Sequence, residues 1–248
     1  MTAAWFEADW PAPPGVHVLS TLRGGTDSGV SEGHYAHLNL GDHVGDDPGA
    51  VAENRRRLRV EAKLPAEPAW LSQVHGTDVA DLDAAGLCGP ADAVFTRRAD
   101  TVCAILTADC LPVVIAADSG ASVAAAHAGW RGLAAGVLEA TVRALRAPPE
   151  RLLAWLGPAI GPEHFEVGSE VRDAFLRIDV EAGSAFKPNN RGRFMADLGM
   201  LARRRLESLG VTRIYGGGQC TYAQAERYFS HRRDGITGRQ ATLIWREG

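Results

Sequence analysis

The chain has 248 residues, 46% of them hydrophobic and 23% charged, with a formal net charge of -4; this composition suits one large globular domain, or two small ones sharing a core. Its longest apolar stretches, 101–106 and 111–117, stop at strand length, far below the roughly 20 residues that span a bilayer, so a transmembrane reading fails. The acidic balance gives no general attraction to polyanions, and the basic clusters Arg55–Arg57 and Arg203–Arg205 fall inside helix-like segments, which argues against nucleic-acid binding.

The N-terminal MTAAWFEADWPAPPG carries acids and prolines where a secretory leader needs a basic start and an apolar run, so a cytoplasmic protein is expected. Four cysteines, Cys88, Cys103, Cys110 and Cys220, are too sparse for a disulfide framework. Each is read as a thiol serving as buried filler, ligand or nucleophile.

In chain order, Val16–Leu22 reads as a strand and leads into a long glycine-rich loop, GGTDSGVSEGHYAHLNLGDHVGDDP. Loops of that length are usually functional. Pro48 sits at a good helix start, and Val51, Leu58 and Val60 supply the apolar positions of the helix that follows. Two short strand-like runs, Trp70–Val74 and Val79–Leu82, place His75 at a turn between them, and a loop is expected around Gly86–Asp92. The run TVCAILTADCLPVVIAADSGASVAAAHAGW is rich in β-branched residues and broken at Asp109 and Ser119-Gly120, so it predicts three largely buried strands.

Leu133–Leu145 carries apolar residues at helical spacing and stops before Pro148-Pro149. LLAWLG returns as a strand. Helices are expected over Ser169–Ile178 and Leu198–Leu209, the second capped by Asp197 and ended by Gly210, and closing strands over Thr212–Tyr215 and Gln240–Trp245. Strands and helices mix without a strict βαβ rhythm, and neither GxGxxG nor a Walker sequence is present. The expected class is α+β with mixed sheets flanked by helices.

The strongest local argument concerns Cys110 and His127. If CLPVVIAAD and ASVAAAHA form a hairpin closed by Ser119-Gly120, then Pro112 faces His127. Cys110, two residues away on the same face, becomes the diagonal neighbour of His127, roughly 7–8 Å away at the backbone and able to share one ion with it. Cys103 and Cys110 have opposite parity, which disfavours a metal pair from the two cysteines. A lone His or Cys on a buried strand is more often core than ligand. The setting of this pair, with the small residues and glycines of HAGWRG after it, favours the ligand.

Across nearly its full length the chain resembles the YfiH-like family, described both as multicopper polyphenol oxidases and as purine nucleoside phosphorylases. The resemblance is carried by NLGDHVGDDP, AENRRRL, QVHGTDV, TADCLPV, HAGWRGLAAGVLE, LGPAIGP with FEVG, and CTY followed by FSHRRDG and TGRQA. It implies a single catalytic domain over 1–248, with His75, Cys110 and His127 as metal ligands. Zinc is the natural ion for two histidines and one cysteine that leave a fourth position open. His37 stands where the family pattern has serine, which leaves the role of that loop open. Residues 24–47 are expected to form one wall of the pocket near the metal.

The resemblance further implies phosphorolysis of adenosine, inosine and S-methyl-5′-thioadenosine, with adenosine deamination, so that a purine nucleoside and phosphate are the expected partners. For phosphate, Arg131 is the first choice because it lies in the glycine loop before the Leu133 helix; Arg23, Arg55 and Arg232 are alternatives. Asp109 is read as a general acid or base, or as the carboxylate orienting His75, and Gln73 and Asn39 as groups for a purine edge or ribose. Three rivals stand beside this reading. A laccase-like copper oxidase needs many histidines in close pairs, and the eight here form no His-x-His, although one copper could occupy the site. A cysteine hydrolase acting on peptidoglycan precursors would use Cys110 as nucleophile and His127 as base. A purely structural zinc would want a fourth protein ligand, and none is evident.

Overall fold

The computed structural model describes residues 4–24, 27–84 and 89–248. Cys88, the start of the loop expected around Gly86–Asp92, and two residues of the glycine-rich loop lie outside these. In chain order the strands and helices are β1 (Trp5–Glu7), β2 (Val16–Thr21), α1 (Pro48–Glu61), β3 (Val79–Asp81), β4 (Ala93–Thr96), β5 (Cys103–Thr107), β6 (Leu111–Ala117), β7 (Val123–Ala128), α2 (Trp130–Ala135), α3 (Val137–Leu145), β8 (Leu152–Leu156), β9 (Glu166–Val167), α4 (Ser169–Leu176), β10 (Phe186–Pro188), β11 (Phe194–Ala196), α5 (Leu198–Ser208), β12 (Arg213–Gly216), α6 (His231–Asp234) and β13 (Gln240–Arg246).

The strands form three sheets, ordered β1-β2-β13-β5, β12-β8-β6-β7-β4-β3 and β10-β11-β9. The fold is α+β: the second sheet mixes the parallel pairs β8–β12 and β3–β4 with antiparallel β6–β7. Among the described residues no helix is long and apolar enough to cross a membrane.

Period-two alternation sets the layers. Val18, Ile105 and Ile244 of the first sheet meet Val114, Ala116, Val123 and Ala125 of the second. The intervening residues Leu19, Ala104, Leu106 and Leu243 face the other way, onto Leu58 of α1 and Leu38 and Leu40 of the long loop. On the far side of the second sheet, Val113, Ile115, Ala124 and Ala126 pack with Leu133, Leu138 and Leu201 from α2, α3 and α5. Both sheets are therefore covered on both faces, and function is left to the strand ends and loops.

Three expectations need correction. Trp70–Val74 is no strand. Only Ala69 bridges Cys103, because the chain leaves the sheet there and is held by side chains: both amide ends of Gln73 bond the backbone of Leu106, at 2.8 Å each. The helix expected over Leu133–Leu145 is two helices, broken at Gly136, whose φ of 105° ends α2 in a conformation that suits glycine. Val60 is 62% exposed while Val51 and Leu58 are buried, since two residues on from Leu58 is the opposite helix face. Strand β4 and the small β9–β11 sheet have no counterpart in the sequence reading. Asp197 caps α5 as expected, its Oδ1 accepting the Met200 N–H at 2.9 Å.

Candidate metal centre

The hairpin forms in the expected register, with Pro112 opposite His127 and a tight turn at Gly120, whose N–H donates to the Ala117 carbonyl. Cys110 lies just before β6, after Asp109 has turned the chain with φ 96°. His75 arrives from the loop before β3, itself at φ 62°. His75, Cys110 and His127 are brought together, with their ligand atoms all within 4.8 Å of one another. The Cys110 Sγ to His75 Nε2 distance is 3.8 Å, and the two imidazole rings meet edge to face at 4.7 Å.

The chemistry of this donor set fits zinc: Zn–S near 2.3 Å and Zn–N near 2.0–2.1 Å at a tetrahedral angle separate ligand atoms by roughly 3.3–3.6 Å. Among the described residues this is the one such group. No fourth protein ligand joins it among the described residues.

Asp92, unforeseen in the sequence, organises the site. It is fully buried just before β4, and the β4–β7 ladder, which pairs Ala93 with Ala126, sets it against His127. Its Oδ1 takes the His127 Nδ1 hydrogen at 2.8 Å and the His75 N–H at 2.9 Å, while Oδ2 takes the N–H groups of Val74 and Gly76 at 3.0 and 2.6 Å. One carboxylate thus holds the ring of one candidate ligand, which would leave its Nε2 for an ion, and the backbone of another.

Burial pushes the Asp92 carboxyl up, but the hydrogen bonds from His127, Gly76 and Val74 win and hold it at about 2. Burial likewise raises the Cys110 thiol, yet the charge of His127 and hydrogen bonds to His127 and His75 bring it down to about 6. His127 is lowered by burial and raised more by Cys110 and Asp92, to about 9. The metal-free pocket therefore favours a thiolate beside an imidazolium, and a metal ion would displace the imidazolium proton. Cys103, sealed in the core, has its thiol pushed up by burial and takes no part.

Glycine keeps this pocket open. A Cβ on Gly129 would lie 3.0 Å from Cys110 Sγ and 3.0 Å from His75 Cδ2. Gly129→Ala is expected to fold and to weaken zinc binding by about 10-fold or more, because ligands must be held within about 0.5 Å of productive geometry. Competition with a chelator of known affinity measures it; unchanged affinity would show that the ligands have room to spare.

The remaining residues marked in the sequence are placed as follows. Asp109 is buried beside Cys110, accepting the Thr221 hydroxyl at 2.6 Å and the Arg232 N–H at 2.7 Å. It makes no hydrogen bond to His75; the carboxylate serving the histidines is Asp92. Gln73 is spent on Leu106. Asn39 is buried and committed to Gly41, Asp46 and the Arg239 N–H. Arg23 donates to the carbonyls of Ala36 and Ala225, and Arg55 to that of Leu40 and to Asp42. The Arg232 side chain donates to the Glu166 carbonyl. Arg131 is exposed within α2 rather than in a loop before it, its guanidinium 4.6 Å above the Trp130 ring. The backbone of His37 is tied to Arg23, Ser31 and Asn54. Asn39 and Leu40 of the loop that carries it bond the backbone of Arg239, on which Cys110, Asp109 and Tyr35 act electrostatically.

Comparison with known proteins shows which family the chain is similar to. Residues 17–247 match the family described as multi-copper polyphenol oxidoreductase laccase. A purine nucleoside phosphorylase of Pseudomonas aeruginosa is 54% identical over 98% of each chain. The purine nucleoside phosphorylase YfiH of Escherichia coli is 52% identical over 95% of this chain and 96% of its own. A crystal structure of a Neisseria meningitidis DUF152 protein, 48% identical, superposes with a TM-score of 0.94 over 99% of this chain and 100% of that one. YlmD of Geobacillus stearothermophilus, 32% identical, gives 0.89 over 100% and 98%. By family match, identity and fold together, the chain belongs to the YfiH-like family of laccase-like-domain proteins.

Proposed function

We propose that the protein is a zinc-dependent purine nucleoside phosphorylase, acting on adenosine, inosine and S-methyl-5′-thioadenosine, and that it also deaminates adenosine. One observation carries the reading: three convergent ligand atoms with no fourth protein ligand among the described residues, in a chain whose relatives are named purine nucleoside phosphorylases. Zinc, when bound at such an open site, supplies a Lewis acid that lowers the pKa of a water, which suits attack at C6 of adenine. In phosphorolysis a phosphate oxygen bonds C1′ as the C1′–N9 bond breaks, and the purine leaves with a proton. Asp92 keeps His127 in the tautomer that offers Nε2 to the metal. Asp109, whose oxygens retain lone pairs beyond the two donors they accept, is the acid–base group we assign to the proton. A reducing cytoplasm suits the Cys110 thiolate.

A second reading draws on the lowered Cys110 thiol beside two histidines: a cysteine nucleophile hydrolysing peptidoglycan precursors. A copper oxidase with a three-copper oxygen site finds only the one His-Cys-His group among the described residues. Zinc-quantified protein given each nucleoside, with and without phosphate, separates these. Phosphate-dependent release of ribose-1-phosphate or its methylthio analogue, with phosphate-independent formation of inosine and ammonia from adenosine, is the expected result. A zinc-loaded protein inert toward all three nucleosides would reject the proposal, and cleavage of a precursor peptide by metal-free protein would favour the second reading.

A further inference from the structure

We propose that Arg239 is the phosphate-binding residue of this site, holding the oxyanion on the edge formed by its Nε and Nη2 hydrogens. The inference rests on the phosphorylase reading and adds to it the group that binds the second substrate.

Arg239 is held by segments distant in sequence. Its N–H donates to Asn39 Oδ1 at 2.8 Å, and its carbonyl accepts the Leu40 N–H at 3.1 Å. A Cβ on Gly41 would sit 2.7 Å from its Cγ, so the long loop lies directly on the stem of the arginine. Nη1 is pinned by the carbonyls of Thr237 and Gly238, both at 3.0 Å. Gly238 can sit there because it lacks a side chain: its Cβ would come within 2.8 Å of the Phe229 ring and 2.9 Å of Asn39 Cβ.

Nε and Nη2 are left without a protein partner among the described residues, and no carboxylate there pairs with the guanidinium. Those two hydrogens are the parallel fork that matches two phosphate oxygens. A half-buried cation lacking a counter-ion is costly, which an arriving anion would relieve. The β5–β13 ladder puts the fork at this site: it pairs Gln240, the residue after Arg239, with Thr107, three residues before Cys110, and Cys110, Asp109 and Tyr35 act electrostatically on Arg239. His43 of the same loop is lowered by burial and by the charge of Arg239.

The other arginines compare poorly. Arg23, Arg55 and Arg232 donate to backbone carbonyls. Arg131 is exposed and held only by the ring beside it, so it must be ordered at each binding event.

The test measures binding, not turnover, on zinc-loaded protein: equilibrium dialysis with radiolabelled inorganic phosphate, and calorimetry with inosine. Arg239→Gln is expected to weaken phosphate about 30-fold or more, the usual scale for a pair of charged hydrogen bonds. Arg239→Lys, keeping charge and losing the fork, is expected to weaken it about 5-fold or more. Zinc content and inosine affinity should stay within about 2-fold of wild type in both variants, and Arg131→Ala should leave phosphate affinity unchanged. Wild-type phosphate affinity in Arg239→Gln overturns the proposal and leaves the phosphorylase reading standing. Loss of zinc or inosine binding in both variants also overturns it, in favour of a scaffold role. A wild-type protein that binds inosine and no phosphate rejects both readings together.

Discussion

Cys110→Ala and His127→Ala are each expected to strip the protein of its metal: where wild type should purify with about one zinc per chain, either variant should retain less than about a tenth of that. The three candidate ligand atoms lie within 4.8 Å of one another and no fourth stands by among the described residues, so losing one would leave a two-ligand site whose affinity falls by orders of magnitude. Elemental analysis after dialysis against a weak chelator reads the effect. Nucleoside turnover should fall with the zinc, by about 1,000-fold or more. The same variants separate ligand from nucleophile: if Cys110→Ala abolished catalysis while keeping full zinc, the thiol would be acting on substrate and the metal would sit elsewhere.

Asp92→Asn should be the most damaging isosteric change in the pocket. The carboxylate accepts from an imidazole and three backbone amides, and an amide in its place turns one acceptor oxygen into an NH2 facing donors. Breaking a buried charged network of this kind costs about 3 kcal/mol, a fall in Tm of roughly 6–12 °C for a chain of this size. Zinc affinity should drop about 10- to 100-fold, because His127 loses the partner that orients it. The melting comparison is made on metal-free proteins, so that weaker zinc binding does not pass for weaker folding. Equal melting temperatures would show Asp92 to be a bystander. Acid adds an independent check. Because the folded carboxyl is held at about 2, below the unfolded value of roughly 4, its contribution is complete above pH ~4 and is lost as pH falls toward 2. Asp92→Asn should lack that component of the acid sensitivity.

How much of this was legible in the chain depends on the range of the interaction. The β6–β7 register followed from parity and a two-residue turn, because side chains alternate and Ser119-Gly120 permits a tight reversal. That alone set Cys110 near His127. The α5 start at Asp197 and its end at Gly210 were equally local, since a cap needs only a side chain reaching two or three residues along its own backbone. His75 entered through resemblance to a family, not through spacing, because a histidine 35 residues before Cys110 has no periodic relation to it.

Tertiary structure decided the rest. Asp92 faces His127 only because β4 joins β7, and once that ladder is known the residue before Ala93 must oppose the one after Ala126; a four-residue strand after an irregular loop offered no pattern from which to predict the pairing. Gln73, Asn39, Arg23 and Arg55 looked like substrate groups because polar residues in a motif-rich stretch invite that reading. Their donors and acceptors are taken largely by backbone atoms up to 202 residues away, since a long irregular loop buried against a sheet must satisfy its peptide groups with side chains. Arg239 is the converse case. Nothing in TGRQA sets it apart from the other arginines; the clamp formed by Asn39, Leu40 and Gly41 does, with the fork left without a partner among the described residues. Which polar groups are spent on holding the chain, and which remain for chemistry, is a property of the whole buried hydrogen-bond network and has no local signature.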